Sequence, residues 1–191
     1  MREKQEGTHT RRPPSLVDLV VSTYLHSESE KEEESGLSIL LLVLVLLATA
    51  SHMLLGGAGI DRLIVQIPGW YRIGPTAFAD YARATDLGNG LVFYPILGVV
   101  APLSTWAALV VGLVSGASTA IVTLLVIASV LCLLHSLTTT QAAPRLLALR
   151  RTNDPDAIAG LMNIFVRWSF PRAILQAFTA AVLVWTLVAG W

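Results

Sequence analysis

Two histidines stand deep inside runs of this chain that carry no charge. His52 lies about fifteen residues into the span expected at about 37–57, and His135 about sixteen residues into the one expected at about 119–140. At about 1.5 Å per residue each sits roughly 22–24 Å along a helix. Helices entering from the same side would therefore bring two imidazoles to one depth. Imidazole can take or give a proton near neutral pH, so such a pair suits acid–base work or ligation. A second group follows at helical spacing: Trp168, Arg172, Gln176 and Thr179 recur at steps of four, four and three. This sets an aromatic ring, a cation and two hydrogen-bonding groups on one helical face. Tyr94 and Thr139 belong at the same end, and Asp61, Arg62, Trp70 and Asn89 could join them. Converging, these groups would line a polar pocket between helix ends, a usual place for a ligand in a bundle. The candidate catalytic residues are His52, His135 and Arg172. The candidate ligand-binding residues are Tyr94, Trp168, Gln176 and Thr139.

Each residue also has a purely structural role open to it. Either histidine could be a hydrogen-bonded packing residue. Arg172 could reach the lipid headgroups or pair with Asp61, and Trp168 could anchor the interface. Gln176 and Thr179 could bond between helices for roughly 0.6 kcal/mol each. Cys132, the single cysteine, can form no internal disulfide and reads as a small hydrophobe.

The elements that must position these groups are set by the charge-free runs, 36–60, 91–144 and 173–191. The middle run is too long for one crossing, so the pattern gives four spans at about 37–57, 91–114, 119–140 and 172–191. A span needs about 20 apolar residues to cross a roughly 30 Å hydrocarbon core, and its backbone groups must be satisfied internally. The fold class is all-α: an integral membrane four-helix bundle with a short surface helix in each long connection. Gly56, Gly57 and Gly59 are expected to loosen the end of the first span. On the second span Tyr94, Gly98, Ala101, Thr105, Ala108 and Gly112 share one mostly small face, where a neighbouring helix can approach closely. The residues 115–118 make a tight turn. Pro144 is expected to end the third helix, 156–168 to form a surface helix, and Pro171 to open the fourth span. Residues 1–36 form a separate polar tail that is either flexible or carries a short helix from Ser15 to Leu25.

The chain has 191 residues, 54% hydrophobic and only 14% charged, with zero net charge, and its mean hydropathy is +0.65. A soluble domain would carry roughly a quarter charged residues, so the surplus apolar surface faces lipid. No basic cluster is interleaved with aromatics outside the spans, which excludes nucleic-acid binding. No Walker motif, HExxH, GxSxG or CxxCH occurs, so phosphate, zinc-hydrolase and serine-hydrolase chemistry have no support. No metal or other cofactor is predicted; a haem between facing histidines is the one alternative the residues allow.

Several segments together resemble the anthrone-oxygenase-like family of small four-span membrane proteins. They are Gly74-Pro75, the stretch Asp86-Leu-Gly-Asn-Gly-Leu-Val-Phe-Tyr-Pro95 leading into the second span, the Thr139 to Leu147 exit from the third, and Arg167-Trp-Ser-Phe-Pro-Arg172 leading into the fourth. The resemblance covers the first span to the C-terminus. Members often carry an Asn-His pair before that arginine, where this chain has Phe170-Pro171. The resemblance implies oxidation of an anthrone to an anthraquinone by oxygen without an evident cofactor. A base removes the acidic ring proton, and the carbanion passes an electron to oxygen. His135 or His52 would be that base, Arg172 would steady the oxyanion, and Trp168 or Tyr94 would stack on the rings.

Two functions of different class therefore stand. One is a membrane protein that binds or oxidises a small hydrophobic, aromatic compound. The other is a non-enzymatic accessory or scaffold subunit, with membrane lipids, a second copy or a membrane partner against it. Both long connections fall on one side and together hold eight arginines. The excess of basic residues places that side in the cytoplasm, with both termini outside a cell membrane crossed several times. A reporter fused after Trp191 is expected to read as outside, and one within 145–155 as cytoplasmic; the reverse pattern would invert the topology.

Overall fold

In the computed structural model the backbone is described from Leu16 to Gly190 and side chains from Ser35 to Gly190. The chain divides into two compact units, Met1–Leu37 and Ser38–Trp191; residues 1–15 of the polar tail lie outside the described residues. Six helices follow one another: α1 (Leu16–Asp61), α2 (Ile67–Ile73), α3 (Pro75–Ala84), α4 (Gly90–Val114), α5 (Thr119–Ala148) and α6 (Pro155–Gly190). Among the described residues there is no strand. Four stretches are long and apolar enough to cross a bilayer: Ser35–Ile73, Pro75–Val114, Thr119–Ala148 and Pro155–Gly190. The outward-facing side chains on them are large and apolar, as on Leu46, Leu54, Val110, Leu133 and Phe178. This is the pattern of a helical bundle solvated by lipid.

Two proline readings change. α5 runs through Pro144 to Ala148, and α6 runs through Pro171, so the helix expected over 156–168 and the fourth span are one helix. A proline inside a helix costs about 3 kcal/mol, and packing offsets it here. Ala142 and Leu149 around Pro144, and Ile158, Met162 and Phe165 before Pro171, are buried in one apolar core. The second connection shrinks to the residues 149–154.

That core holds the ends of both connections together. Ile67, Trp70, Phe78, Ala79, Ala82 and Leu87 from the first connection meet the α5 and α6 residues just named. Arg83 donates to the carbonyls of Leu149 at 3.0 Å and Thr152 at 2.5 Å, and Arg150 donates to that of Leu87 at 3.2 Å. Both connections thus lie at one end of the bundle, as expected. A second apolar core occupies the other end: Leu41, Val45 and Ala48 of α1, Ala108 of α4, Leu125 and Ala128 of α5, and Leu183 of α6. There α4 turns into α5 through Gly116, whose φ of 66° suits glycine.

The glycines near the end of the first span do not loosen it. They let α1 and α6 touch. A Cβ on Gly59 would stand 2.9 Å from the Cβ of Ala173, and one on Gly56 would stand 3.3 Å from the backbone of Ala177. Gly57 faces open space. Gly59→Leu is therefore expected to destabilise the bundle by about 1–3 kcal/mol through overpacking, and Gly57→Leu to leave it unchanged. Thermal unfolding of both variants in detergent checks this.

Candidate functional site

Between the two apolar cores lies a belt of buried polar residues, one contribution from each spanning helix. α1 supplies Thr49, Ser51 and His52, and α4 supplies Ser104 and Thr105. α5 supplies Ser129, Cys132 and His135, and α6 supplies Gln176 and Thr179. Most hydroxyls are answered by their own helix. Thr49, Thr105 and Thr179 donate to the carbonyls of Val45, Ala101 and Leu175 four residues back, at 2.6, 2.8 and 2.8 Å. They need no neighbour and no water.

The histidines are different. His52 and His135 meet edge to face with ring centroids 5.2 Å apart, which places them at one depth as their spacing predicted. His52 Nε2 lies 3.2 Å from the hydroxyl of Thr105. Its Nδ1 has no partner, and neither ring nitrogen of His135 has one. Both residues are buried, His52 completely and His135 to 3% exposure. An unanswered buried polar atom costs about 1–3 kcal/mol, a cost that these three nitrogens carry.

A cavity of about 460 Å³ opens directly on His135. Arg172, Gln176, Thr139 and Tyr94 line it, as the sequence placed them, together with Phe165 and an apolar wall including Leu55, Leu91, Pro95 and Leu146. The cavity has a lateral mouth, because Val99 and Leu147 line it while 55% and 45% exposed on the lipid-facing surface. His52 stands behind His135 rather than in the wall. Trp168 does not line the cavity. It packs against the apolar core at the connection end, and Phe165, one turn earlier on α6, takes the aromatic place in the wall. Among the described residues Arg172 has no ion-pair partner; Asp61 instead accepts from Gln66 at 2.6 Å. The guanidinium of Arg172 lies 5.8 Å from the ring centre of Phe165.

The sequence reading missed Asp86. Arg62 donates to Asp86 at 2.6 Å in a buried ion pair. The guanidinium also lies within 5.6–5.9 Å of the ring centres of Trp70, Tyr94 and Phe165, a cation–π cage. Both partners start from widened π turns, Arg62–Gln66 and Thr85–Asn89. Such turns re-aim side chains and recur at functional sites. A second cavity of about 380 Å³ lies on the far side of the pair, and Arg62, Asp86, Gly90 and Tyr94 line both. The ion pair is thus a polar partition between the apolar cavity and the connection end. The sequence carried no signal for the pair, because Arg62, Arg72 and Arg83 all lie in the same connection as Asp86.

Comparison with protein-family models, with curated proteins and with solved structures finds no match.

Removing one member of the partition leaves the other charge stranded. Asp86→Leu alone is expected to cost about 3–5 kcal/mol, while Arg62→Met with Asp86→Leu costs much less. Denaturant unfolding of the two single variants and the double variant checks the sign of the coupling.

Proposed function

We propose that this multi-pass membrane protein binds a small, flat, hydrophobic compound with an acidic hydrogen, and ionises it as the first step of its oxidation. The observation that carries the reading is Arg172, a cation without an ion-pair partner among the described residues: Asp86, the carboxylate that lines the same cavity, is held by Arg62, so the three charges leave one positive charge in excess. An unbalanced charge there costs free energy unless a further anion shares the space. The cavity volume of about 460 Å³ falls in the range of small-molecule sites. The mouth between Val99 and Leu147 suits a compound that partitions into lipid first.

The residues divide the work. Phe165 and Tyr94 offer ring faces to a flat guest, and Gln176 and Thr139 offer hydrogen bonds at its polar edge. The free imidazole nitrogens of His135 make it the proton acceptor on the wall, with His52 as the ring behind it. Arg172 then stabilises the oxyanion that the lost proton leaves, through the preorganised-charge effect that dominates many active sites. The resemblance to the anthrone-oxygenase-like family supports the same substrate class. Oxygen would accept the electrons of the carbanion, becoming in part the new ring carbonyl and in part water. The arginines gathered at this end of the bundle support placing it at the cytoplasmic face of a cell membrane.

Titration of the purified full chain in lipid nanodiscs with anthrone, read by quenching of intrinsic fluorescence, tests the reading. Arg172→Gln is expected to weaken binding at least tenfold, about 1.4 kcal/mol, and Arg167→Gln, on the exposed side of α6, to leave it unchanged. His135→Ala should still bind but no longer yield the enolate absorbance. Equal binding by Arg172→Gln and the parent chain would overturn the assignment.

A further inference from the structure

The sequence reading treated Cys132 as a packing residue, and the structure gives it company. One nitrogen each of His52 and His135 and the sulfur of Cys132 all lie within 4.8 Å of one another, and all three residues are buried. The cluster joins two helices, α1 and α5. We infer that it is a binding site for a single copper(I) ion, held by two imidazoles and one thiolate at the floor of the cavity.

Four observations converge on this. The first is the unanswered lone pairs. The hydroxyl of Thr105 gives its proton to the carbonyl of Ala101 at 2.8 Å, so it accepts from the Nε2–H of His52 at 3.2 Å. That fixes the tautomer and leaves Nδ1 of His52 with a free lone pair and no partner. Orientation of a ligating imidazole by a hydrogen bond on its other nitrogen is the usual arrangement at metal sites. The second is His135, which has neither nitrogen engaged at 3% exposure.

The third is size. An ion with bonds of about 2.0–2.3 Å holds its ligand atoms about 3.5 Å apart. The widest pair here must close by about 1 Å, within reach of a small ring or thiol rotation. A haem does not suit the same pair, because two rings already in edge contact at 5.2 Å leave no slot for a macrocycle between them.

The fourth is charge. On binding, Cys132 releases its thiol proton to solvent, and the thiolate then cancels the single charge of copper(I). A neutral centre suits a membrane interior, where a net charge is costly. Zinc(II) on the same three ligands would carry one positive charge, with the Arg172 cation on the wall of the same cavity. Soft sulfur beside imidazole favours copper as well.

The inference goes beyond the ligand reading and fails separately from it. Arg172 governs the organic guest and does not ligate the ion; Cys132 ligates the ion and does not line the cavity. The two readings meet only at His135. In the copper-loaded chain it acts as a ligand, so a guest is expected to bind there without being ionised.

The test uses the purified full chain in detergent under anaerobic, reducing conditions, loaded with copper(I) against a coloured copper(I) chelator. The parent chain is expected to retain one equivalent, and its X-ray absorption should show one sulfur and two nitrogen scatterers. Cys132→Ser and His52→Gln are expected to lose at least a hundredfold in affinity, and Arg172→Gln to match the parent. Thermal unfolding of each apo variant separates lost ligation from lost fold. The X-ray absorption of the parent chain needs no variant at all. Less than a tenth of an equivalent retained, a spectrum without sulfur, unchanged binding by a folded Cys132→Ser, or zinc(II) retained in preference to copper(I) would each overturn the inference.

Discussion

The bundle is governed by what a bilayer withholds. Without water in the hydrocarbon, every buried donor and acceptor must find its partner inside the protein. The spanning helices meet this demand in three ways. Their threonines fold back onto carbonyls of the same helix, as Thr49, Thr105 and Thr179 do. The buried ion pair of Arg62 with Asp86 is wrapped by the rings of Trp70, Tyr94 and Phe165. Their apolar side chains close two cores, one at each end. Among the groups that escape all three devices are the imidazoles of His52 and His135 and the guanidinium of Arg172. They gather where the cavity is.

This gathering has a structural cause. Helix α1 can approach α6 closely because Gly56 and Gly59 carry no side chain against Ala173 and Ala177. Ala101, Thr105, Ala108 and Gly112 form a buried, mostly small face of α4, which brings Thr105 to His52. Below the belt the helices pack tightly. Above it the π turns at Arg62 and Thr85 and the non-helical backbone at Gly88 interrupt the helices, and the cavity lies beside them. The aromatic cage and the ion pair then cap it. Packing therefore sets both the depth of the histidines and the room beside them.

Much of this was legible in the sequence. The absence of charge over 36–60, 91–144 and 173–191 marked the spans, since nothing else in a chain this size tolerates so little charge. The small-residue face of α4 was readable from its spacing alone. The common depth of His52 and His135 followed from counting residues along two parallel helices. What was not legible depended on tertiary packing. Pro144 and Pro171 read as helix ends because the local cost of proline is large, and the apolar core that offsets it is assembled from distant segments. Trp168 and Phe165 lie on neighbouring turns, and only the rotation of α6 decides which one faces the cavity. Asp86 could not be paired with Arg62 before the π turns had aimed both inward. Cys132 looked inert because one cysteine has no partner of its own kind; His135 is on its own helix, but His52 reaches it from another.

The account rests on the claim that the polar belt and its cavity form a place for a guest and are not merely a seam between helices. Native mass spectrometry of the full chain released from its own membrane into lipid nanodiscs tests that claim most directly. The account predicts a population heavier than the bare chain by a discrete small mass that survives release and is absent from Arg172→Gln. A bare chain in both preparations, with no uptake of added anthrone or copper(I), would contradict it.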